Sequence, residues 1–290
     1  MSNAKEIRGQ IKSVKNTQKI TRAMEMVAAS KVRRVQEQMR VGRPYTQNLL
    51  RVINHLVKAT SGKQHPYLTP VSGDVKKVGY IIVSTDRGLC GGLNINLFKT
   101  VMQSVREEKE KGHEIVISVF GRKGAGFVSR IKAQLLSCVE NYPEDPKITD
   151  LIGGINPIVE AYEKGELQKV FVAANIFENA MSQKPSLMQL LPASVSYADE
   201  QLAGHSWDYL YDSNPEVLLS RLLKRYIESL VKQAVLENIA SEMSARMVAM
   251  KSASDNAGNL INELQLRYNK ARQAAITQEL TEIVAGADAV

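Results

Sequence analysis

After Pro215 the remaining 75 residues contain no further proline, and the only glycine before Gly286 is Gly258. A stretch that long without a breaker folds as one helix. Its start is marked by Ser213-Asn214-Pro215-Glu216: a small polar cap, a proline in the first turn and a glutamate three residues after the serine. At ~1.5 Å per residue, a helix over 215–285 is about 100 Å long, against roughly 30 Å for a small domain. An element of that length is a rod, and the rest of the chain has to give it a partner.

The helix has an apolar seam. Met243, Met247, Met250, Ser254, Ala257, Ile261, Leu264, Tyr268, Ala271 and Ala275 step by four and three throughout. That heptad register predicts a left-handed coiled coil. The partner is the chain's own beginning, where residues 2–55 read as a second long helix. There Ile7, Ile11, Val14, Thr21, Met24, Ala28, Val32, Val35 and Met39 recur mostly at three- and four-residue steps. Gly42-Arg43-Pro44 is expected to kink or break it. The chain must leave one helix and return to the other, so an antiparallel pair is expected. Ser254, Ala257, Ala271 and Ala275 are small, which lets two backbones approach closely. The end of the chain, residues 285–290, is small and nearly uncharged. It is expected to lie inside another protein, with a frayed end as the alternative.

Charge is placed unevenly. Residues 1–43 hold eleven basic side chains and three acidic ones, a balance of +8 that equals the formal net charge of all 290 residues. One basic helix on an otherwise balanced chain points to an acidic partner surface or to nucleic acid. Between the long helices, residues 60–74 read as a turn-rich linker. Over 75–195, short apolar β-branched runs at 78–83, 115–120 and 169–174 alternate with helical stretches at 94–111 and 149–164. Weaker strand candidates lie at 134–139 and 187–191. This alternation predicts a small, largely parallel α/β domain. The expected division is 1–60, 61–74, 75–210 and 211–290: shaft helix, linker, central domain, shaft helix.

Little in the sequence carries chemistry. Asp86-Arg87-Gly88-Leu89-Cys90-Gly91-Gly92-Leu93-Asn94 lies between a strand and a helix, where phosphate-cradling loops occur, but its spacing is GxxGG and no GxxxxGK[ST] is present. Residues 121–126 (GRKGAG) are a similar lure, and tight strand-to-helix turns account for both sets of glycines. His55, His65, His113 and His205 are scattered without metal-ligand spacing. Cys90 and Cys138 lack CxxC spacing and are expected to be buried thiols. Glu144-Asp145 sit among prolines as a solvated loop. The expectation is a chain without catalytic residues, cofactor or metal. No apolar run reaches the ~20 residues of a membrane span, and the N-terminus has no signal-peptide core, which suggests a bacterial cytosolic chain.

The opening run, residues 5–31 (KEIRGQIKSVKNTQKITRAMEMVAASK), the 86–94 loop and the ending 276–289 (ITQELTEIVAGADA) each resemble signatures of the gamma subunits of F-type ATP synthases. The resemblance runs from the first turn to the last residues. It implies a two-stranded antiparallel coiled coil carried with a central Rossmann-like α/β domain, acting as the non-catalytic rotary shaft of the synthase. The implied partners are three alpha and three beta subunits, the epsilon subunit and the ring of c subunits. The implied place is the cytoplasmic face of a bacterial inner membrane, peripherally through the complex. By the same resemblance Arg22, Met24 and Glu25 face acidic loops of the beta subunits, and Arg246, Gln273, Thr277 and Glu279 contact the alpha–beta ring. Two rivals remain open on the residues alone. A nucleic-acid adaptor fits the basic helix but has no base-reading module and almost no aromatic residues before Tyr45. A Rossmann-type oxidoreductase lacks the glycine fingerprint.

Overall fold

The computed structural model describes residues 4–59, 65–69, 75–131, 133–193 and 214–287. Most of the expected linker, Ser213 and the last three residues lie outside the described set. The order is α1 (Ala4–Ala59), β1 (Lys77–Val83), α2 (Leu93–Glu110), β2 (Glu114–Phe120), α3 (Arg122–Ile131), β3 (Gln134–Val139), α4 (Ile148–Glu163), β4 (Lys169–Phe177), β5 (Gln183–Leu191) and α5 (Pro215–Ala287). These form two compact units, Met1–Ser30 with Arg246–Val290, and Lys31–Ala245.

The larger unit is built on a five-stranded sheet in the order β3-β2-β1-β4-β5, parallel except for the antiparallel β4–β5 pair. From Val78 to Val83 every residue of β1 is buried, as expected of a strand covered on both faces. One face packs Val78, Tyr80, Ile82 and Ile117 against Leu97, Val101 and Val105 of α2 and Val128 of α3. The other packs Ile81, Val83, Val116 and Phe120 against α4 and against the parts of α1 and α5 belonging to this unit, with Ile53, Leu56, Leu223, Ile227 and Val231 fully enclosed. Residues 235–244 of α5 are buried without interruption, so this stretch turns no side to solvent, and its polar residues Glu237, Asn238, Ser241, Glu242 and Ser244 are buried with the rest.

In the smaller unit the two helices pair in antiparallel fashion. Ile7 and Ile11 bury with Leu264, against Val14, Tyr268 and Ala271. Further along α1, the Gln18 side-chain amide donates to the Ser254 carbonyl at 3.3 Å. Numbers rise on one helix as they fall on the other.

Four expectations are corrected. First, α1 runs unbroken through Gly42 and Pro44. A proline removes one N–H from the ladder, and Met39, Thr46 and Leu49, buried on either side, hold the helix across the gap. Second, only Gly121 of the 121–126 run is a turn glycine, at φ 93°, where an added Cβ would lie 2.5 Å from the Ser84 carbonyl; the residues after it form α3. Third, Cys90 is buried but Cys138 is exposed, because β3 is an edge strand. Fourth, the cap of α5 is Asn214, whose Oδ1 accepts from the Glu216 N–H at 3.0 Å.

Candidate interaction surfaces

In an open parallel sheet, ligands enter the crevice beyond the carboxyl ends of the strands, where the strand order reverses. Here that point lies between β1 and β4, and side chains of this chain fill it. The Asn175 side-chain amide donates to Asn238 Oδ1 (2.9 Å), and Asn238 in turn donates to the Ser84 carbonyl (3.3 Å). The Tyr142 hydroxyl donates to the same carbonyl at 2.9 Å, and Ser241 Oγ donates to the Asn175 carbonyl at 3.2 Å. Burial, then the nearby carboxylates of Glu242 and Asp86, push the Tyr142 phenol far above its ordinary value.

The 86–94 loop is equally self-contained. At the amino end of α3, where a phosphate would bind, the Asp86 carboxylate accepts from the Arg122 N–H, and its second oxygen from the Asn141 N–H, both at 3.0 Å. The Asn94 amide donates to Thr85 Oγ1 at 2.7 Å, and its oxygen accepts from the Thr85 N–H at 3.3 Å. Leu89 and Gly91 take the left-handed backbone that closes the turn. Among the described residues no three His, Cys, Asp or Glu side chains are grouped to hold a metal ion, and no helix is long and apolar enough to cross a membrane.

The smaller unit offers surfaces. On α1 the inward line runs Ile7, Ile11, Val14, Gln18, Thr21, Glu25, Ala28, each buried or half-buried. Met24 is off that line and 40% exposed, and Ile20 (56%) and Val27 (55%) share its face at helical spacing. Arg22 is exposed and Glu25 half-buried. The sequence pattern expects Met24 in the stripe, whereas Gln18 and Glu25 take that line. The four–three spacing runs through both, but their polarity hid them.

On α5, Met250, Ser254, Ala257 and Leu264 are buried and Met247, Ile261, Tyr268 and Ala271 half-buried. Met243 is buried in the core of the larger unit. Ala275 is exposed. The cause is length: Tyr268 and Ala271 already pack against the cluster of Ile7 and Ile11, and the next heptad step passes the start of α1 at Ala4. From 272 to 285 every residue of α5 is exposed, including Ile276, Leu280, Ile283 and Val284. Two threonines of this tip bond back to their own helix. The Thr277 hydroxyl donates to the Gln273 carbonyl (2.9 Å) and that of Thr281 to the Thr277 carbonyl (2.8 Å). Gln273, Thr277 and Glu279 are thus exposed on a helix whose outer apolar groups have no cover within the smaller unit, and Arg246 is half-buried.

A family profile described as ATP synthase matches residues 3–290. A protein of Dichelobacter nodosus named ATP synthase gamma chain is 66% identical over the whole of both chains, and one of that name from Glaesserella parasuis is 53% identical over the whole of both. The chain belongs to the ATP synthase gamma chain family. Solved structures add the fold. A chain of the Euglena gracilis mitochondrial ATP synthase (OSCP/F1/c-ring) superposes with a TM-score of 0.67 at 18% identity, covering 99% of this chain and 94% of that one. A chain of the Tetrahymena thermophila central stalk and c-ring gives 0.58 at 23%, covering 81% and 99%. Family membership and fold together match the coiled coil and the α/β domain. They leave the exposed tip and the α1 face to be explained by what the chain works against.

Proposed function

We propose that this chain is the central rotary shaft of an F-type ATP synthase and is itself non-catalytic. Its implied partners are three alpha and three beta subunits, epsilon and the c-ring, on the cytoplasmic face of a bacterial inner membrane. One observation carries the reading: α5 outruns α1 by about four turns and exposes Ile276, Leu280, Ile283 and Val284 there. An apolar helix end without a partner helix needs a sleeve from another protein. The full-length relatives are named ATP synthase gamma chain, which supports a sleeve made by other subunits of that enzyme.

The mechanism is coupling rather than chemistry. A shaft that makes different contacts with each of three catalytic subunits gives each a different nucleotide affinity, and turning it exchanges those affinities. Long unbroken helices transmit the torque. In this reading residues 1–60 and 211–290 are the shaft helices, 61–74 a linker and 75–210 the central domain that meets epsilon and the c-ring. Arg22 and Met24 face acidic beta loops, with the half-buried Glu25 beside them on the inward line, while Arg246, Gln273, Thr277 and Glu279 touch the alpha–beta ring. The exposure of Met24, on one face with Ile20 and Val27, supports its part in this.

The test is recovery of the tagged chain from membranes in mild detergent. The expected product is an ATPase in which one copy accompanies three-plus-three subunits and the c-ring. A chain recovered alone, or with nucleic acid, overturns the proposal. Within the assembled enzyme, Met24→Lys adds a cation facing acidic loops. It is expected to lower proton pumping per ATP while hydrolysis survives, and an unchanged ratio removes Met24 from the coupling surface.

A further inference from the structure

Residues 65–69 form a short strap whose backbone hangs on one residue. Pro66 has no N–H, and the three amide hydrogens after it all bond to His65. That of Tyr67 goes to the ring Nδ1 at 3.2 Å, and those of Leu68 and Thr69 to the backbone carbonyl at 2.9 and 3.2 Å. The other ring nitrogen, Nε2, lies 2.9 Å from Ser220 Oγ in the second turn of α5. The Ser220 hydroxyl donates to the Glu216 carbonyl at 3.0 Å, so toward the ring it accepts, and Nε2 carries the proton. Nδ1 is then bare and accepts from Tyr67. Both contacts require the neutral imidazole in its Nε2–H form.

The strap ties together three elements of the larger unit. Tyr67 is buried, its ring 6.5 Å from that of Tyr162, and its hydroxyl donates to the Glu163 carboxylate at the end of α4. Its carbonyl accepts from the Ala193 N–H beyond β5 at 2.7 Å, and His65 supplies the link to α5. A proton on Nδ1 would set donor against donor and leave the Tyr67 N–H without a partner. Burial opposes that charge and holds the imidazole below its ordinary 6.5, outweighing the Glu163 carboxylate, which raises it. On α5 the charged residues one turn either side of Ser220 are Glu216 and Lys224. We propose that the 65–69 strap is an acid-released latch: protonation of His65 unfastens it from α5 and uncovers the apolar cluster to which Tyr67 belongs. An open strap carries a histidine of ordinary basicity. The latch is therefore complete above about pH 6.5 and weakens as pH falls below it.

The experiment follows amide exchange on the full chain at about pH 7.5 and about pH 5.5, one unit either side of the ordinary histidine value. Rates are expressed as protection factors, so that the intrinsic pH dependence of exchange cancels. Protection of Tyr67, Leu68 and Thr69 is expected to fall several-fold on acidification, toward the limit of about tenfold that one pH unit allows, while β1 and β2 keep theirs. His65→Asn supplies a side-chain oxygen that accepts from the N–H two residues on, as in an Asx turn, and does not titrate. Its strap is expected to hold the same protection at both pH values. Nitrogen chemical shifts of the wild-type ring are expected to report the Nε2–H form at the higher pH. The Nδ1–H form there overturns the proposal. So does strap protection that stays constant in the wild type, or that rises on acidification because Glu163 captures the imidazolium. A His65→Asn chain with the wild-type pH response overturns it as well.

Discussion

A methyl group added to Gly154 would come within 2.4 Å of the Phe120 ring, whereas one added to its neighbour Gly153 would meet nothing within 4 Å. Both lie in α4, whose inner face rests on the sheet. Gly154→Ala should therefore overpack the α4–β2 contact and cost about 1–3 kcal/mol. Gly153→Ala should gain roughly 0.8–1 kcal/mol from helix propensity alone. Urea midpoints that move in opposite directions are expected, and equal shifts would refute the packing account. Nothing in the sequence distinguishes these two residues, because the difference is a ring contributed by a distant strand. Glu108 is a similar case. Burial alone would raise its carboxyl, but hydrogen bonds from Lys111 and His113, each 2.7 Å, bring it below the ordinary 4.5. A depressed carboxyl stabilises the fold above its unfolded value, and that stability is lost as pH falls through the folded one. The gap in melting temperature between the wild type and Glu108→Gln should therefore shrink between about pH 6 and about pH 3. A constant gap would mean that the carboxylate contributes nothing through its charge.

Elements were the most legible level. Three strands stand out as β-branched runs within a few residues of their observed ends, β3 and β5 are only weak candidates because they hold almost no β-branched residues, and most of the three–four steps of α1 and α5 survive as buried lines. Where the sequence misleads, the cause is shared: local composition points one way and tertiary contacts decide the other. Three glycines hid α3, yet Gly124 is there because an added Cβ would press on Ser84 Oγ and Val119, each at 2.8 Å. Gln18 is polar and so carries no seam signal, although its amide reaches the Ser254 carbonyl across the seam. The expected break at Pro44 failed because buried neighbours on both sides outweigh one lost hydrogen bond. That loss is measurable. Pro44→Ala restores the N–H facing the Arg40 carbonyl at an exposed site, and should stabilise the chain by about 3 kcal/mol. No change in the denaturation midpoint would mean that α1 has already adjusted to the proline.

At the scale of the molecule, composition along the chain separates long helices from a sheet domain. The contacts instead divide each long helix between two units. That division was not readable beforehand, since it depends on residues more than 200 positions apart meeting in space. It makes the units energetically distinct. The larger has two apolar clusters on the two faces of its sheet, while the smaller rests on a narrow line in which Ile7, Ile11 and Leu264 form the one cluster among its described residues. Leu264→Asp would place an unpaired carboxylate among those isoleucines, at about 3 kcal/mol or more. Few other contacts in the smaller unit could offset such a loss. The expected outcome is fast amide exchange over 4–20 and 255–275 with protection of β1, β2 and β4 unchanged, because their core contains no residue of this cluster. In the membrane complex the same variant should assemble poorly, since a frayed pair cannot enter a narrow sleeve. If exchange quickens in the sheet as well, the two units unfold as one, and the coiled coil is part of the domain's stability rather than an addition to it.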